Sequence, residues 1–428
     1  MAAPAQLKEQ IADGRWDAPL ADLYGKQAVL HQRNRYQELV KEYSARFGGG
    51  GEAFLFSAPG RTEIGGNHTD HQRGRVLAAA INLDAAAVAV PNDSGVIHIK
   101  SAGHDENIVR LDQLEPAGGE ENTSTALVRG IAARFHELGF RVGGFSAYTV
   151  SDVLRGSGLS SSAAFEVLVG TILNGLFNGG AVDPVTIAQI GQYAENRYFG
   201  KPCGLMDQTA CSVGGLVQID FRDAAHPAVE QLPYDFSARG YALCVVNTGG
   251  SHADLTGEYA AIPAEMKAVA QAFGAEVLSE VPEEDFFGRI GELRQQVGDR
   301  ALLRALHFFE ENRRVSEQSA ALRADDLEGF FTLVKESGHS SAARLQNVAS
   351  AVSSREQGVA LGVAVSEQFL QGKGACRVHG GGFAGTLQAY VPLEQVEAYR
   401  EAMERIFGQR SCYVLKIRPC GGIQIKAE

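Results

Sequence analysis

A serine-rich turn that leads directly into an apolar helix is the segment whose chemistry is most readily stated. The run from Ser157 to Ser162 reads SGLSSS, with three consecutive hydroxyls and with glycines at positions 156 and 158. Glycine lets the backbone turn sharply, and apolar residues recur at helical spacing over residues 163–177. Unpaired N–H groups at the start of such a helix, together with hydroxyls, favour a phosphate or a metal ion. The alternative interpretation is an ordinary serine N-cap on a buried helix.

Two carboxylates downstream form a second candidate group. Glu195 lies near the end of a predicted amphipathic helix, and Asp207 follows twelve positions later in the sequence GLMDQ. A glycine and proline-containing segment separates them and allows the chain to reverse, so that the two carboxylates could converge. One would then suit a magnesium ligand, and the other a position beside a reacting hydroxyl. Two solvent-facing acids are the alternative, which the small and apolar neighbours of Asp207 disfavour.

A polar segment follows the glycine pair at positions 65 and 66. Every residue from 67 to 73 is polar or carries an imidazole, and the mostly apolar run 76–90 comes soon after. Sugars need several fixed donors and acceptors in a small area, so the segment favours binding of a polyol. His68, Asp70 and His71 could instead ligate a metal ion, but their spacing on an extended loop does not resemble a zinc site.

A glycine-rich segment near the end of the chain matches a weak nucleotide-binding pattern. Residues 380–385 read GGGFAG, which satisfies G-x-G-x-x-G. The residues that follow, 386–391, alternate like a strand instead of opening a helix, so the dinucleotide-binding interpretation fails on context. A turn that lets the backbone approach another loop or a substrate remains. No Walker A motif is present, because Gly200-Lys201 and Gly372-Lys373 are followed by proline and glycine.

Strand and helix signals are interspersed along the chain. Residues 53–57 are predicted to form a short strand that a Pro-Gly pair ends, and residues 76–90 a buried strand or strand pair. The turn 91–95 predicts a hairpin with residues 96–100 as its returning strand. Further helices are predicted over residues 21–47, 124–140, 184–198, 262–273, 300–322, 327–337 and 393–407, and a closing strand over residues 412–417.

The length of 428 residues favours two domains, with the first over residues 1–235 and the second over residues 236–428. The mixture of elements, with many strands linked as hairpins, predicts an α+β fold. The formal net charge of −12 argues against a general affinity for nucleic acid or an anionic membrane. Six cysteines without a C-x-x-C pair, no secretory signal pattern and no long apolar run predict a cytoplasmic protein with reduced thiols and no membrane span.

Taken in order and with their separations, these segments resemble the motifs of the GHMP small-molecule kinases, and among them most closely those of the galactokinase family. Pro59-Gly60-Arg61 with residues 66–70, GNHTD, is similar to the sugar signature, and residues 156–163 are similar to the phosphate loop. Residues 203–208, CGLMDQ, resemble the block that holds the catalytic aspartate, and residues 380–385 the third motif. The resemblance extends over residues 35–425 and is specific as a combination.

The resemblance implies an enzyme that transfers a phosphoryl group from ATP, with Mg²⁺, to the anomeric hydroxyl of D-galactose. Asp207 would act as a general base or as an orienting anion, and Arg61 would keep it ionised and offset charge on the moving phosphoryl group. Ser162 and Glu195 would hold Mg²⁺. The residues that would wrap the ATP phosphates are Gly156, Ser157, Gly158, Leu159, Ser160, Ser161 and Ser162. The residues that would hold the sugar are Asn67, His68, Asp70, Gly204 and Tyr259.

The implied fold is a two-domain α+β fold, with an N-terminal domain like domain 2 of ribosomal protein S5, a ferredoxin-like C-terminal domain and the active site in the cleft between them. The chain departs from the family at Asn67, where glutamate is usual, at His71, where tyrosine is usual, and at Thr62-Glu63, where valine and asparagine are common. Another sugar (N-acetylgalactosamine, arabinose or a uronic acid), a mevalonate-type substrate or a non-catalytic sugar sensor are therefore the alternatives. The sequence indicates neither an oligomeric state nor a protein partner, and assigns no role to the first 30 residues.

Overall fold

Two long antiparallel strands, residues 54–65 and 75–92, form the centre of the larger of two sheets. The computed structural model describes residues 2–153, 158–250, 255–350 and 352–427, without the side chain of Thr256. The strands are β1 Phe54–Gly65, β2 Arg75–Asn92, β3 Val96–Ser101, β4 Glu106–Arg110, β5 Gly144–Ser151, β6 Leu216–Asp220, β7 Ala228–Leu232, β8 Tyr241–Asn247, β9 Ala375–His379, β10 Thr386–Pro392, β11 Cys412–Leu415 and β12 Ile423–Ile425.

The α-helices lie on both sides of this sheet and around the second one. They are α1 Pro4–Ala12, α2 Asp17–Tyr24, α3 Val29–Phe47, α4 Ser124–Glu137, α5 Ser161–Phe177, α6 Pro184–Ala194, α7 Met206–Val213, α8 Thr256–Gln271, α9 Glu283–Val297, α10 Asp299–Arg323, α11 Leu327–Ser340, α12 Gly358–Leu370 and α13 Val396–Phe407. None of the described helices is both long enough and apolar enough to span a bilayer.

The first sheet has the order β12-β1-β2-β5-β3-β4, and β6 pairs with the beginning of β2 and with β7. Alternate residues of β2 face two separate cores, as the two-residue period of a strand requires. Ala85, Ala87 and Ala89 pack with the buried faces of α4, α5 and α6. Ala86 and Val88 pack on the opposite face with the N-terminal helices α1 to α3. The first sheet is therefore covered on both faces, which explains why β2 is apolar almost throughout.

The second sheet is antiparallel, with the order β11-β8-β10-β9. A glycine-rich loop, residues 380–385, connects β9 to β10 as a hairpin, in agreement with the prediction of a turn instead of a nucleotide-binding helix. His379, at the end of β9, lies 3.0 Å from the hydroxyl of Thr62 and 3.1 Å from the backbone nitrogen of Glu63. The glycine loop is thereby fixed beside β1. The last strand, β12, returns to pair with β1, and the division at residue 235 stays a prediction.

Two predictions about strands are wrong. The first strand does not end at Pro59 and Gly60, because β1 continues to Gly65 through a register shift between Pro59 and Arg61. A bulge allows this continuation, since it accommodates the missing proline N–H group and redirects the strand. The α+β class and the long helices of the second half are confirmed, as is the helix after the serine-rich turn.

The predicted hairpin over residues 91–100 is the second error. Strands β2 and β3 do not pair, since β5 lies between them, antiparallel to β2 and parallel to β3. The turn itself forms as expected, and the backbone nitrogen of Ser94 donates to Asn92 Oδ1 at 3.0 Å. Local turn chemistry fixes the change of direction but not the partner strand, and residues 144–151 supply the intervening strand from a later part of the chain.

Candidate active site

A cavity of about 260 Å³ lies where β1, the start of α5, the segment before α7 and the glycine loop meet. Its walls come from distant parts of the chain, and seven of the fifteen predicted site residues are among them. The lining residues are Arg61, Glu63, His68, Asp70, His71, Ser162, Glu195, Lys201, Pro202, Cys203, Gly204, Met206, Asp207, Gln208, Gly380 and Gly381. Polar and charged groups dominate the list, so the cavity suits a polar ligand.

Arg61 and Asp207 form a bidentate ion pair at the wall of this cavity. Arg61 Nε donates to Asp207 Oδ1 at 2.7 Å, and Arg61 Nη2 donates to Asp207 Oδ2 at 2.8 Å. Burial alone would raise the pKa of Asp207, but the Arg61 guanidinium and its hydrogen bonds outweigh burial and lower that pKa below its usual value. Asp207 is therefore ionised at neutral pH. The sequence prediction placed these two residues together, although 146 positions separate them.

The serine-rich turn contacts the same ion pair. The Ser160 hydroxyl donates to Asp207 Oδ2, and Arg61 Nη1 donates to the carbonyl oxygen of Gly158. Ser160 is the N-cap of α5 and has a left-handed backbone with φ of 58°. The start of α5, with its unpaired N–H groups and the positive end of the helix dipole, is thus adjacent to the cavity. Gly156 and Ser157, also predicted to bind ATP, lie outside the described residues.

Close packing between β1 and the turn brings these groups together. The backbone nitrogen of Arg61 donates to the carbonyl oxygen of Leu159 at 3.1 Å. A Cβ atom at Gly60 would lie only 2.7 Å from that same oxygen, so a larger residue would push the turn away from the strand. Gly60, predicted to end the strand and to belong to the sugar signature, therefore also contributes by its lack of a side chain.

Ser162 and Glu195, the predicted magnesium ligands, both line the cavity. Glu195 begins a short π-helical segment, Glu195–Phe199, directly after α6. Glu195 Oε2 accepts from Gln208 Nε2 at 2.9 Å, and Lys201 Nζ lies 3.2 Å from Glu195 Oε1. Within the described residues, no group of three or more His, Cys, Asp or Glu side chains is arranged to hold a metal ion.

A second buried carboxylate stands behind Glu195. Gln208 Nε2 also donates to Glu166 Oε2 at 3.0 Å, so that Gln208 bridges the two glutamates. Burial, and next the charge of Glu195, raise the pKa of Glu166 well above its usual value. Glu166 was not among the predicted site residues, because a single glutamate inside the apolar face of α5 carries no motif.

Three of the predicted sugar-binding residues, His68, Asp70 and Gly204, line the cavity. His68 Nε2 lies 3.2 Å from the carbonyl oxygen of Gly381, and burial lowers the pKa of His68 to about 4, so its ring is neutral. A Cβ atom at Gly204 would lie 2.2 Å from Asp70 Oδ2, so a larger residue at this position would displace the Asp70 carboxylate. Tyr259, a fourth predicted sugar-binding residue, is not among the residues that line the cavity. It donates its hydroxyl hydrogen to the carbonyl oxygen of Gly382, in the glycine loop, at 2.9 Å.

Asn67 does not line the cavity in this structure, unlike the other predicted residues of the 67–71 loop. Its side chain is completely buried. Glu63, which no prediction included, lines the cavity instead. A signal for Glu63 was present in the sequence, since residues two apart on a strand share a face and Glu63 is two positions after Arg61. That signal was hidden by the prediction that the strand ends at Pro59-Gly60.

Two family models match the chain. The model of the GHMP kinases N terminal domain matches residues 126–215, and that of the galactokinase galactose-binding signature matches residues 41–91. A galactokinase of Streptomyces coelicolor is 32% identical over 374 residues, 86% of this chain and 93% of the relative. A galactokinase of Glaesserella parasuis is 33% identical over 367 residues, 84% of this chain and 90% of the relative.

Solved structures agree in fold. The crystal structure of a Lactococcus lactis galactokinase complexed with galactose matches 91% of this chain and 100% of its own, with a TM-score of 0.78 and 24% identity. A Methanococcus jannaschii mevalonate kinase matches 86% of this chain and 99% of its own, with a TM-score of 0.60 and 13% identity. The two-domain fold of the GHMP kinases is thereby confirmed. From the extent and identity of the sequence matches, the chain belongs to the galactokinase family of GHMP kinases.

Proposed function

We propose that the protein transfers the γ-phosphoryl group of ATP to the anomeric hydroxyl of D-galactose, forming galactose 1-phosphate and ADP. The observation that carries the proposal is the Arg61–Asp207 ion pair at the wall of a polar cavity, in contact with the turn that begins α5. Membership of the galactokinase family supports galactose as the substrate. ATP and the sugar are the small-molecule partners in this proposal. The six cysteines are all free, in keeping with a cytoplasmic protein.

The role proposed for Asp207 follows from its ionisation. A carboxylate whose pKa is lowered by Arg61 is ionised at neutral pH and can accept a hydrogen bond from the attacking hydroxyl. Phosphoryl transfer depends chiefly on positioning and on charge neutralisation, which an orienting anion and a guanidinium supply. Arg61 binds Asp207 through Nε and Nη2, and its Nη1 donates to the carbonyl oxygen of Gly158 in the turn. It is therefore suited to offset charge on the transferred group.

The residues before and within α5 are proposed to bind the ATP phosphates. Leu159, Ser160, Ser161 and Ser162 belong to this group, and a helix N-terminus preceded by glycine is a general anion-binding arrangement. The sugar is proposed to contact His68, Asp70 and Gly204 in the cavity, with Tyr259 supporting the glycine loop beside them.

The donor set at the cavity fits Mg²⁺. Ser162 and Glu195 offer a hydroxyl and a carboxylate, which are the hard oxygen ligands that Mg²⁺ prefers, and Mg²⁺ typically takes only one or two carboxylates besides phosphate oxygens. These two residues would hold the ion, and a bound Mg²⁺ supplies neutralisation of phosphate charge. Replacement of Glu195 by glutamine should raise the Mg²⁺ concentration needed for half-maximal rate, with the thermal unfolding temperature as a control for folding.

The decisive experiment measures ADP release from ATP and Mg²⁺ with a panel of aldoses and with mevalonate. Fastest turnover with D-galactose, with a phosphate on C1 by NMR of the product, would establish the proposal. Fastest turnover with N-acetylgalactosamine, arabinose or a uronic acid would replace the substrate while keeping the reaction. Binding of sugar and ATP without ADP release would contradict catalysis and favour a sensor.

A further inference from the structure

The Asn67 side chain is fully occupied by hydrogen bonds within the protein. Its Nδ2 donates to Glu63 Oε1 at 3.1 Å and to the carbonyl oxygen of Gly380 at 2.6 Å. Its Oδ1 accepts from Asn347 Nδ2 at 2.8 Å and from the Ser341 hydroxyl at 3.3 Å. A primary amide has two donor hydrogens and two acceptor lone pairs, so no capacity is left for a ligand.

The backbone around Asn67 is fixed in the same way. His307 Nε2 lies 3.0 Å from the carbonyl oxygen of Asn67, and the backbone nitrogen of Gly66 donates to Glu311 Oε1 at 3.1 Å. Both partners are completely buried on α10. Turning Asn67 towards the cavity would break several buried hydrogen bonds at once, each of which is costly to leave unmade. Asn67 is therefore an anchor between the 66–71 loop, the glycine loop and the helices of the second domain.

Glu63, unlike Asn67, keeps hydrogen-bonding capacity for a ligand. It lines the cavity, and both hydrogen bonds to its side chain from the described residues end on Oε1, one from Asn67 Nδ2 and one from Arg377 Nη2 at 2.8 Å. A carboxylate can accept about four hydrogen bonds, so Oε2 keeps capacity for a ligand hydroxyl. Arg377 and Asn67 both hold Oε1, which fixes the orientation of the carboxylate before a ligand arrives.

The position of Glu63 on β1 indicates which part of the ligand it meets. Arg61 and Glu63 are two residues apart on the same strand, which corresponds to a separation of roughly 7 Å along β1. Arg61 lies beside Asp207, where the reacting hydroxyl is proposed to bind. Glu63 is therefore placed to meet a hydroxyl on the far side of the sugar ring from the reacting one.

We infer that Glu63, held by Asn67 and Arg377, is the specificity-determining acceptor for a hydroxyl of the sugar remote from C1, and that Asn67 is its positioning residue. The inference rests on the proposed function, in that it takes the ligand of the cavity to be a sugar. A preferred substrate then has a hydrogen-bond donor at that remote position. Burial raises the pKa of Glu63, against the opposing effect of Arg377, so a ligand hydroxyl that donates to it also stabilises its ionised form.

The test compares D-galactose with its 2-, 3-, 4- and 6-deoxy derivatives in the wild-type protein and in E63Q. The wild type should discriminate against one deoxy sugar by about 10- to 100-fold in kcat/KM, the range expected for a hydrogen bond to a charged group. E63Q should lower kcat/KM for galactose mainly through KM, and should leave that one deoxy sugar almost unaffected, so that the ratio falls towards unity. An unchanged set of ratios in E63Q would overturn the inference.

Three further variants serve as controls for the role assigned to Glu63. E63D keeps the charge opposite Arg377 but withdraws it from the cavity. The ratio of kcat/KM between galactose and the disfavoured deoxy sugar should therefore fall in E63D without unfolding. This variant decides the question if E63Q does not fold. E265Q removes a carboxylate that pairs with Arg300 and Arg304 outside the cavity, and it should lower thermal stability while leaving every ratio unchanged. The exchange variant E63N/N67E should not restore the ratio, because residue 67 remains turned away from the cavity; restoration would overturn the assignment.

Calorimetric titration of the same sugars without ATP separates this inference from the proposed function. Absence of turnover with every sugar would contradict the proposed function, yet the dissociation constants would still report the wild-type and E63Q ratios. Turnover of galactose with identical selectivity in both proteins would sustain the proposed function and overturn the role of Glu63.

Discussion

Asp84 and Asp207 illustrate the difference between a carboxylate that stabilises the fold and one that can react. Asp84, on β2, is completely buried, and it accepts from Tyr24 OH and from Arg35 Nη1, both at 2.6 Å. The Ser57 hydroxyl also donates to it, and Arg418 Nη1 lies 3.4 Å away. Protein donors surround Asp84 on every side described, and they join helices α2 and α3 to the central strands β1 and β2 and to the segment after β11.

Asp207 has a similar composition of partners but a different geometry. One guanidinium and one hydroxyl hold it, and its remaining side lines the cavity. In both cases burial alone would raise the pKa and an arginine lowers it below the usual value. Electrostatics alone therefore does not distinguish them. Access distinguishes them. A ligand can approach Asp207 from the cavity, whereas protein donors enclose Asp84.

The largest expected effect comes from neutralising Asp207. D207N keeps the shape of the side chain but removes the charge that orients the attacking hydroxyl, so kcat should fall by about 10²- to 10⁴-fold. Binding of ATP, measured by calorimetry, should persist because the turn at α5 is unchanged. Retention of more than a tenth of the wild-type kcat in D207N would contradict the role of Asp207.

The same substitution at Asp84 should affect stability and not turnover. D84N leaves Arg35 and Arg418 buried without their carboxylate, and breaking a buried ion pair in this way typically costs about 3–5 kcal/mol. Urea denaturation measures the loss, and kcat of the folded fraction should match the wild type. A lower kcat in fully folded D84N would mean that the contacts of Asp84 with the N-terminal helices influence the cavity, and would contradict this prediction.

The third prediction concerns the pH dependence of kcat. Activity requires ionised Asp207, which is present above its pKa and lost as the pH falls through it. Because Arg61 lowers that pKa below its usual value, the wild type should show no acid limb from Asp207 between about pH 5 and pH 8. In R61M only the weaker effects of Ser160 and Lys201 oppose burial, so the pKa of Asp207 rises and an acid limb should move upwards into that range.

The matched control for the pH profile is D207N, which has no titrating carboxylate at this position. Its residual kcat should show no acid limb at any pH where the protein stays folded. An acid limb at the same pH in the wild type and in R61M would show that Arg61 does not control the ionisation of Asp207.

Motifs with local chemistry were predictable from the sequence. Asp183 caps α6 by accepting from the backbone nitrogens of Val185 and Thr186, as its position before Pro184 indicates. The helix after the serine-rich turn and the convergence of Arg61 with Asp207 were likewise expected, the second from the resemblance to the GHMP kinases. Each of these depends on neighbouring residues or on a recognised motif, which is why the sequence contains the signal.

Features that depend on distant packing were not predictable. Strand β3 pairs with the neighbouring β4 and also with β5, where Ile97 lies opposite Phe145, and no local pattern indicates the second pairing. The orientation of Asn67 depends on Ser341 and Asn347, which follow it by 274 and 280 positions in the sequence and carry no motif. The sequence therefore located the cavity but not which side chains of the 61–71 region face it, since that choice is made by contacts across 270 or more positions.

The smallest expected effect on kcat comes from S160G. This substitution changes two properties of Ser160, its left-handed backbone and its hydrogen bond to Asp207. Ser160 has a left-handed backbone, which costs a residue other than glycine about 1–2 kcal/mol. S160G relieves that cost but removes the hydroxyl that favours ionised Asp207, so kcat should fall about tenfold while thermal stability is maintained or increased. Gln371, the exposed left-handed C-cap of α12, offers a matched control. Q371G should gain the same backbone stability with unchanged kcat, and equal kcat in both glycine variants would mean that Ser160 acts only as a helix cap.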